Sequence, residues 1–162
     1  MYKIILTLIL LFSINNLSLA DGHAIPQKGE INFLTGWQFN MNPSEPQSGG
    51  WNIMSGAAVG STFNTAGKGP LHEGRAMCTG SIVVSEEFST FAGHCYFGDK
   101  DGDRIFTSYT GNPLKNTGDN IIIGGTGKYK GITGKGPWDC DATKPGDHGA
   151  FNCRQTLVYS IK

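Results

Sequence analysis

Apolar and polar residues alternate along much of this chain. They do not recur at the three- and four-residue spacing of an amphipathic helix. The clearest case is "INFLTGWQFNM", from Ile31 to Met41. Ile31, Phe33, Thr35, Trp37, Phe39 and Met41 share one face, and Asn32, Leu34, Gly36, Gln38 and Asn40 share the other. Alternation at period two predicts a strand with an aromatic inner face. The following "NPSEPQSGG" (Asn42 to Gly50) holds two prolines and two glycines and reads as a loop. A second strand is expected from about Trp51 to Phe63, with Trp51, Ile53, Ala57, Val59 and Phe63 on the inner face. A third runs from about Glu73 to Val84 and a fourth from about Phe88 to Phe97. "RIFTSYTG" (Arg104 to Gly111), "DNIIIGG" (Asp119 to Gly125), "GGTGKYKGITGKG" (Gly124 to Gly136) and "CRQTLVYSI" (Cys153 to Ile161) supply the rest. About eight strands with short turns and no long helix predict an all-β fold. A sandwich and a barrel both satisfy that pattern, but closure hides the edges of long apolar strands. The expected fold is a single antiparallel up-and-down barrel.

The cysteines give a register. Cys78, Cys95, Cys140 and Cys153 allow three pairings. With a turn at Glu86-Glu87, residues whose numbers sum to 173 face each other, so Cys78 faces Cys95, Gly80 faces Gly93 and Ile82 faces Phe91. Opposed Cβ atoms lie about 4.5–5.5 Å apart, near what a disulfide requires. Cys140 and Cys153 centre a second hairpin on Gly146-Asp147, within the turn sequence "KPGDHG", and place Trp138 opposite Gln155 and Gly136 opposite Leu157. Two disulfides staple the barrel in this reading, Cys78–Cys95 and Cys140–Cys153. The alternative is zinc. It wants clustered ligands, and the chain has no C-x-x-C or H-x-x-x-H.

Disulfides imply an exported chain, and the N-terminus agrees. Lys3, the apolar run "IILTLILLF" (Ile4 to Phe12) and the small residues Ser18 and Ala20 have the layout of a secretory signal peptide. The run is shorter than the roughly 20 residues a membrane span needs. The expected division is residues 1–20 as signal and 21–162 as barrel domain, exported to the periplasm or beyond the cell, with no membrane span after signal removal. The mature chain keeps 12 basic and 13 acidic residues. That balance gives no broad positive field for nucleic acid.

"GGTGKYKGITGKG" holds six glycines and three lysines. A dinucleotide loop needs G-x-G-x-x-G leading into a helix. Gly125 and Gly127 fit, but position 130 is Lys130 and no helix follows. No P-loop register exists either. The stretch reads instead as a barrel hairpin, with Gly127, Tyr129, Gly131 and Thr133 alternating with Lys128, Lys130 and Ile132, and the lysines in water. "GDKDGDR" offers Asp99, Asp101 and Asp103 as weak Ca²⁺ candidates. An EF-hand loop wants Gly sixth and Glu twelfth, whereas Arg104 and Thr110 stand there. A hairpin turn with Asp101-Gly102 at its tip is the simpler account, so no metal is assigned.

Of four histidines, His23 lies near the mature N-terminus, His148 in the proline-glycine loop, and His94 on the outer face opposite Thr79. His72 stands at a rim near Glu73 and Arg75, where the group would polarise a substrate carbonyl or simply be solvated. No nucleophile elbow or H-E-x-x-H occurs.

"GGTGKYKGITGKG", with "DKDGDRIF" and "GPLHEGRAMC", resembles secreted bacterial proteins with the allene oxide cyclase-like barrel, over roughly Trp51 to Gly136. Plant dirigent proteins and allene oxide cyclases share that barrel. The resemblance implies the fold, and fold alone assigns no chemistry.

The inner-face residues suggest what the barrel does. Trp37, Phe39, Trp51, Phe91, Phe97, Tyr109, Tyr129, Trp138 and Tyr159 are expected inside, with Thr35, Thr107 and Gln155 as the main polar members. Of these, Trp37, Trp51, Tyr109, Tyr129, Trp138, Gln155 and Tyr159 are the candidate ligand-binding residues. No carboxylate pair joins them, so acid–base catalysis is under-supplied. Two functions fit. One is a non-catalytic barrel that binds a small apolar or aromatic ligand, or serves as an envelope structure, with no cofactor. The other is a cofactor-free isomerase or cyclase like the plant relatives, holding a reactive intermediate in one conformation.

Overall fold

A computed structural model describes residues 25–43, 50–141 and 149–162. The expected signal segment, His23, His148 and the Gly146-Asp147 turn lie outside them. Eight strands run in chain order: β1 Lys28–Pro43, β2 Asn52–Asn64, β3 Gly74–Val84, β4 Ser89–Gly98, β5 Arg104–Asn112, β6 Thr117–Gly125, β7 Ile132–Cys140 and β8 Ala150–Ile161. Each pairs antiparallel with the next, and β8 pairs with β1, so the sheet closes into a barrel. Closure leaves no free edge.

The cysteine register holds. Cys78 faces Cys95 with Gly80 opposite Gly93 and Ile82 opposite Phe91. Trp138 faces Gln155 and Cys140 faces Cys153. Both disulfides are formed, Cys78–Cys95 and Cys140–Cys153. They mark a chain that matures in an oxidising environment. No helix among the described residues is long and apolar enough to cross a membrane.

The inner face of β1 is as expected: Ile31, Phe33, Thr35 and Trp37 are buried. The face of β2 is the reverse of expectation. Ile53, Val59 and Phe63 are 45%, 54% and 47% exposed, while Ala58 and Thr62 are buried. Trp51 is likewise outside, 42% exposed, with its ring 6.0 Å from Phe88. Volume decides this, not hydrophobicity. β1 already sends Trp37 inward, and a Cβ at Gly60 would lie 2.9 Å from its Cε3. Beside a ring of that size the interior of β2 has room only for small residues, so Gly60, Ala58 and Gly56 turn in and the larger side chains turn out. The same rule explains glycines elsewhere. A side chain at Gly80 would overlap the Tyr109 phenol oxygen, and one at Gly111 or Gly118 would overlap the Trp138 indole.

One end of the barrel is plugged. The β2–β3 connection folds Leu71 over it, fully buried, at a left-handed φ of 56°. The β6–β7 connection is a single 3₁₀ turn, Gly127–Tyr129, that buries Tyr129 beside it. The Leu71 N–H donates to the Tyr129 oxygen at 3.2 Å, and the Tyr129 hydroxyl donates to Asp99 Oδ2 at 2.9 Å. Lys128 is not in water, as the sequence pattern suggested. Its Nζ lies 2.7 Å from Asp99 Oδ2 and 2.7 Å from Asp101 Oδ2. Its main-chain N–H donates to Asp103 Oδ2 at 3.1 Å. Ile132 also departs from expectation, pointing inward where Thr133 is exposed.

Candidate functional site

The opposite end opens into a cavity of about 50 Å³. Aromatic rings dominate its wall. Phe91 stands edge-on to Tyr109 (4.8 Å between centroids) and to Trp138 (6.1 Å), and Trp37 stacks on Phe151 at 6.5 Å. Ala58, Gly56 and Gly80 form the thin parts of the wall, and all four half-cystines line it. The disulfides therefore hold the wall of the site as well as closing hairpins.

Asn120 and Gln155 supply the amide groups of the wall. They belong to a buried chain of hydrogen bonds. Thr107 Oγ1 donates to Asn120 Oδ1 at 3.1 Å, Asn120 Nδ2 to Gln155 Oε1 at 3.0 Å, and Gln155 Nε2 to Thr35 Oγ1 at 2.9 Å. Asn120 lies opposite Gly136 in the β6–β7 pair. Gly136 has no side chain to intervene, so Asn120 reaches past β7 to Gln155 on β8. A buried polar chain of this kind fixes rotamers because each unpaired member would be costly.

Trp37, Tyr109, Trp138 and Gln155 thus line the cavity, together with Phe39, Phe91 and Phe97 of the inner-face residues. Tyr129 and Tyr159 are buried but do not line it. Tyr129 belongs to the plug, and Tyr159 packs where a side chain at Gly29 would begin, 3.0 Å from its hydroxyl. Trp51 is outside the barrel. His72 and Arg75 are at the plugged end, away from the cavity. Arg75 is exposed on the outer face of β3 opposite Ser61. His72 packs on the ring of Phe63 at 6.3 Å, its Nδ1 buried without a partner and its Nε2 3.9 Å from Glu73. They form no cavity rim. Asn120 and Phe151 were missed from the sequence. Alternation does place Asn120 with Ile122, and Phe151 with Cys153, on the inner face.

The three aspartates hold Lys128 rather than standing free around a turn. Burial pulls the Lys128 ammonium down, but its hydrogen bonds to Asp101 and Asp99, with their charges, more than offset this and leave its pKa raised. Among the described residues no group of three or more His, Cys, Asp or Glu side chains could hold a metal ion.

Among the described lining residues the one ionisable group is the Tyr109 phenol. Burial pushes its pKa up, so it stays neutral. Its hydroxyl lies 3.4 Å from the Thr79 carbonyl oxygen, a long contact. The wall can enclose apolar groups and offer amide, indole and phenol hydrogens. Among the described lining residues there is no carboxylate or imidazole for proton transfer.

No protein-family profile matches this sequence, and no curated protein matches it. Solved structures do match in shape. The pterocarpan synthase dirigent protein GePTS1 superposes with a TM-score of 0.53 at 13% identity, covering 84% of this chain and 91% of its own. The dirigent protein PsPTS1, also a pterocarpan synthase, gives 0.53 at 12%, covering 83% and 96%. A protein of unknown function from the DUF3224 family of Shewanella oneidensis MR-1 gives 0.54 at 11%, covering 82% and 98%. At these identities the likeness is one of fold alone: this chain is a closed eight-stranded barrel similar in shape to those three structures.

Proposed function

We propose that this chain is an exported binding protein that holds one small, uncharged apolar or aromatic molecule in the cavity at the open end of its barrel. The observation that carries this reading is the wall itself: aromatic rings and half-cystines, broken by two amides, with no charged side chain among the described residues. Apolar walls with a few placed polar groups are the usual composition of small-molecule sites. The export part rests on the N-terminal pattern and the two disulfides, and predicts a mature periplasmic or extracellular protein that starts near Asp21. N-terminal sequencing of secreted material tests it.

The void is smaller than the ~150 Å³ of a cavity that takes up benzene. A guest must therefore shift side chains, and the partly exposed lining rings are those of Phe39, Phe91 and Phe151. Titration with indane or naphthalene should quench tryptophan fluorescence saturably through Trp37 and Trp138. Ala58→Leu, which fills the wall from β2, should abolish the response in folded protein. A flat response from the unsubstituted protein would refute binding and favour a structural role.

The fold favours a second reading, a cofactor-free isomerase or cyclase, since two of the similar structures are pterocarpan synthases. Tyr109 would be the proton donor among the described lining residues. Turnover of an unsaturated epoxide or a phenoxy radical that is lost in Tyr109→Phe would establish it.

A further inference from the structure

The cavity wall carries more hydrogen-bond donors than the protein uses. Trp138 Nε1 is buried and meets no acceptor. Buried donors almost always find a partner, so an orphan beside a cavity calls for an explanation. Gln155, directly opposite Trp138 in the β7–β8 pair, and Asn120 line the same cavity. Each amide nitrogen carries two hydrogens. Asn120 Nδ2 spends one on Gln155 Oε1, and Gln155 Nε2 spends one on Thr35 Oγ1. The oxygens of the wall are each half used: Asn120 Oδ1 accepts from Thr107 and Gln155 Oε1 from Asn120, one of two lone pairs in each case.

The indole is also held in place. Its Cζ2 and Cη2 atoms fill the positions where side chains at Gly111 and Gly118 would begin. It cannot retreat into the β5–β6 wall. Phe91 and Tyr109 stand edge-on to it at 6.1 and 6.4 Å, and Phe91 is one of the partly exposed rings a guest can shift. A guest that shifts Phe91 therefore gains access to the indole.

We propose that the ligand is a neutral carbonyl compound with a single ring system, its oxygen accepting a hydrogen bond from Trp138 Nε1. This rests on the binding reading above and specifies its chemistry. A carboxylate or ammonium group would meet no opposite charge among the described wall residues, at a large desolvation cost. A hydrocarbon would leave the indole hydrogen unpaired. An alcohol oxygen would accept from the indole, but its own hydrogen would also have to reach the second lone pair of an amide oxygen that Thr107 or Asn120 already donates to. A ketone oxygen accepts and brings no hydrogen of its own.

The test uses indane, 1-indanone and 1-indanol, which share a skeleton and differ at one carbon, with the mature disulfide-bonded protein in a calorimeter. 1-Indanone should bind about three- to tenfold more tightly than indane, the usual net effect of one hydrogen bond. 1-Indanol should fall between them. Trp138→Phe, which keeps a ring and removes the N–H, should bring indane and 1-indanone within about twofold. Should that variant fail to fold, the indole N–H resonance of the unsubstituted protein decides. It should move downfield with 1-indanone and not with indane. Equal affinities for indane and 1-indanone, a preference that survives Trp138→Phe, or an unmoved resonance would overturn the carbonyl assignment and leave apolar binding standing. No saturable binding of any of the three would overturn both.

Discussion

Lys128 Nζ lies 2.7 Å from Asp99 Oδ2 at the plugged end of the barrel, where the carboxylate is 2% exposed and the lysine side chain 12%. The pair joins the β4–β5 and β6–β7 connections. Tyr129 adds its hydroxyl to the same carboxylate oxygen, and the Asp101 N–H takes the other at 2.9 Å. A glycine- and lysine-rich stretch with a phosphate-loop look thus serves as half of an internal clasp.

Lys128→Met should be costly for this reason. Removing one partner of a buried pair typically costs about 3–5 kcal/mol. The Tyr129 and Asp101 hydrogens remain on Asp99, so the low end, about 3 kcal/mol, is expected in urea unfolding. A loss below about 1 kcal/mol, the level of an exposed pair, would show that the clasp is no stronger than a surface contact.

Calcium should do little. To occupy the aspartates it would have to displace the Lys128 ammonium from between Asp99 and Asp101. A site with millimolar affinity stabilises by only about 0.4 kcal/mol at 1 mM ion. The melting temperature is therefore expected to stay within about a degree when 1 mM Ca²⁺ is added. A shift of several degrees that vanishes in Asp101→Asn would show ion binding.

The strands were legible because period-two alternation is strong on β1 and β8, and the two hairpin registers followed from cysteines that must meet. What failed was the orientation of β2. Both of its faces are uncharged, and Ile53, Val59 and Phe63 outrank Gly56, Ala58 and Gly60 in hydrophobicity. The interior volume, already claimed by Trp37 and its neighbours, reversed that order. Local patterning carries no information about volume contributed by another strand. Lys128 was misplaced for a related reason. Its partners stand 27 and 29 residues earlier in the chain, and only closure of the barrel brings them together. The cavity residues Trp37, Tyr109, Trp138 and Gln155 could be read from their strands, but which end of the interior each would face could not.

The glycines that face rings test this volume argument. A Cβ at Gly111 would overlap Trp138 Cζ2 and come within 2.6 Å of the Thr117 carbonyl oxygen. The carbonyl is sheet backbone and cannot give, so the indole must move toward the cavity. Gly111→Ala should therefore cost about 1–3 kcal/mol, the range for overpacking a core, and should weaken any aromatic guest. By contrast, a Cβ at Gly124 meets nothing within 4 Å, so Gly124→Ala should be nearly neutral. Equal effects at the two positions, measured by chemical denaturation, would contradict the argument.

The last prediction is alkaline instability with an assignable slope. Burial raises the phenol of Tyr109 above its ordinary value of 10.0, and burial, helped by the hydrogen bond to Asp99 and its charge, does the same for Tyr129. Burial also raises Tyr159. A raised acid keeps its proton in the folded chain after the unfolded chain has lost it. Below about pH 9 both states are protonated and stability does not depend on these groups. Above pH 10 the unfolded chain ionises first, so stability falls as pH rises, by about 1.4 kcal/mol per pH unit for each such proton. Lys128, whose pKa is also raised, acts in the same direction above its ordinary value of 10.5. Tyr109 is the clean probe, since burial alone raises it and its hydroxyl makes only the long contact to Thr79. Tyr109→Phe should leave stability at pH 8 almost unchanged and flatten the decline between pH 10 and 11 by about 1 kcal/mol, short of a full proton's ~1.4 because the unfolded phenol is only half ionised at its ordinary value of 10.0. Urea titrations at stepped pH measure both slopes. Identical slopes would mean that the Tyr109 phenol ionises as freely in the folded barrel as in the unfolded chain, and that the open end admits water down to it.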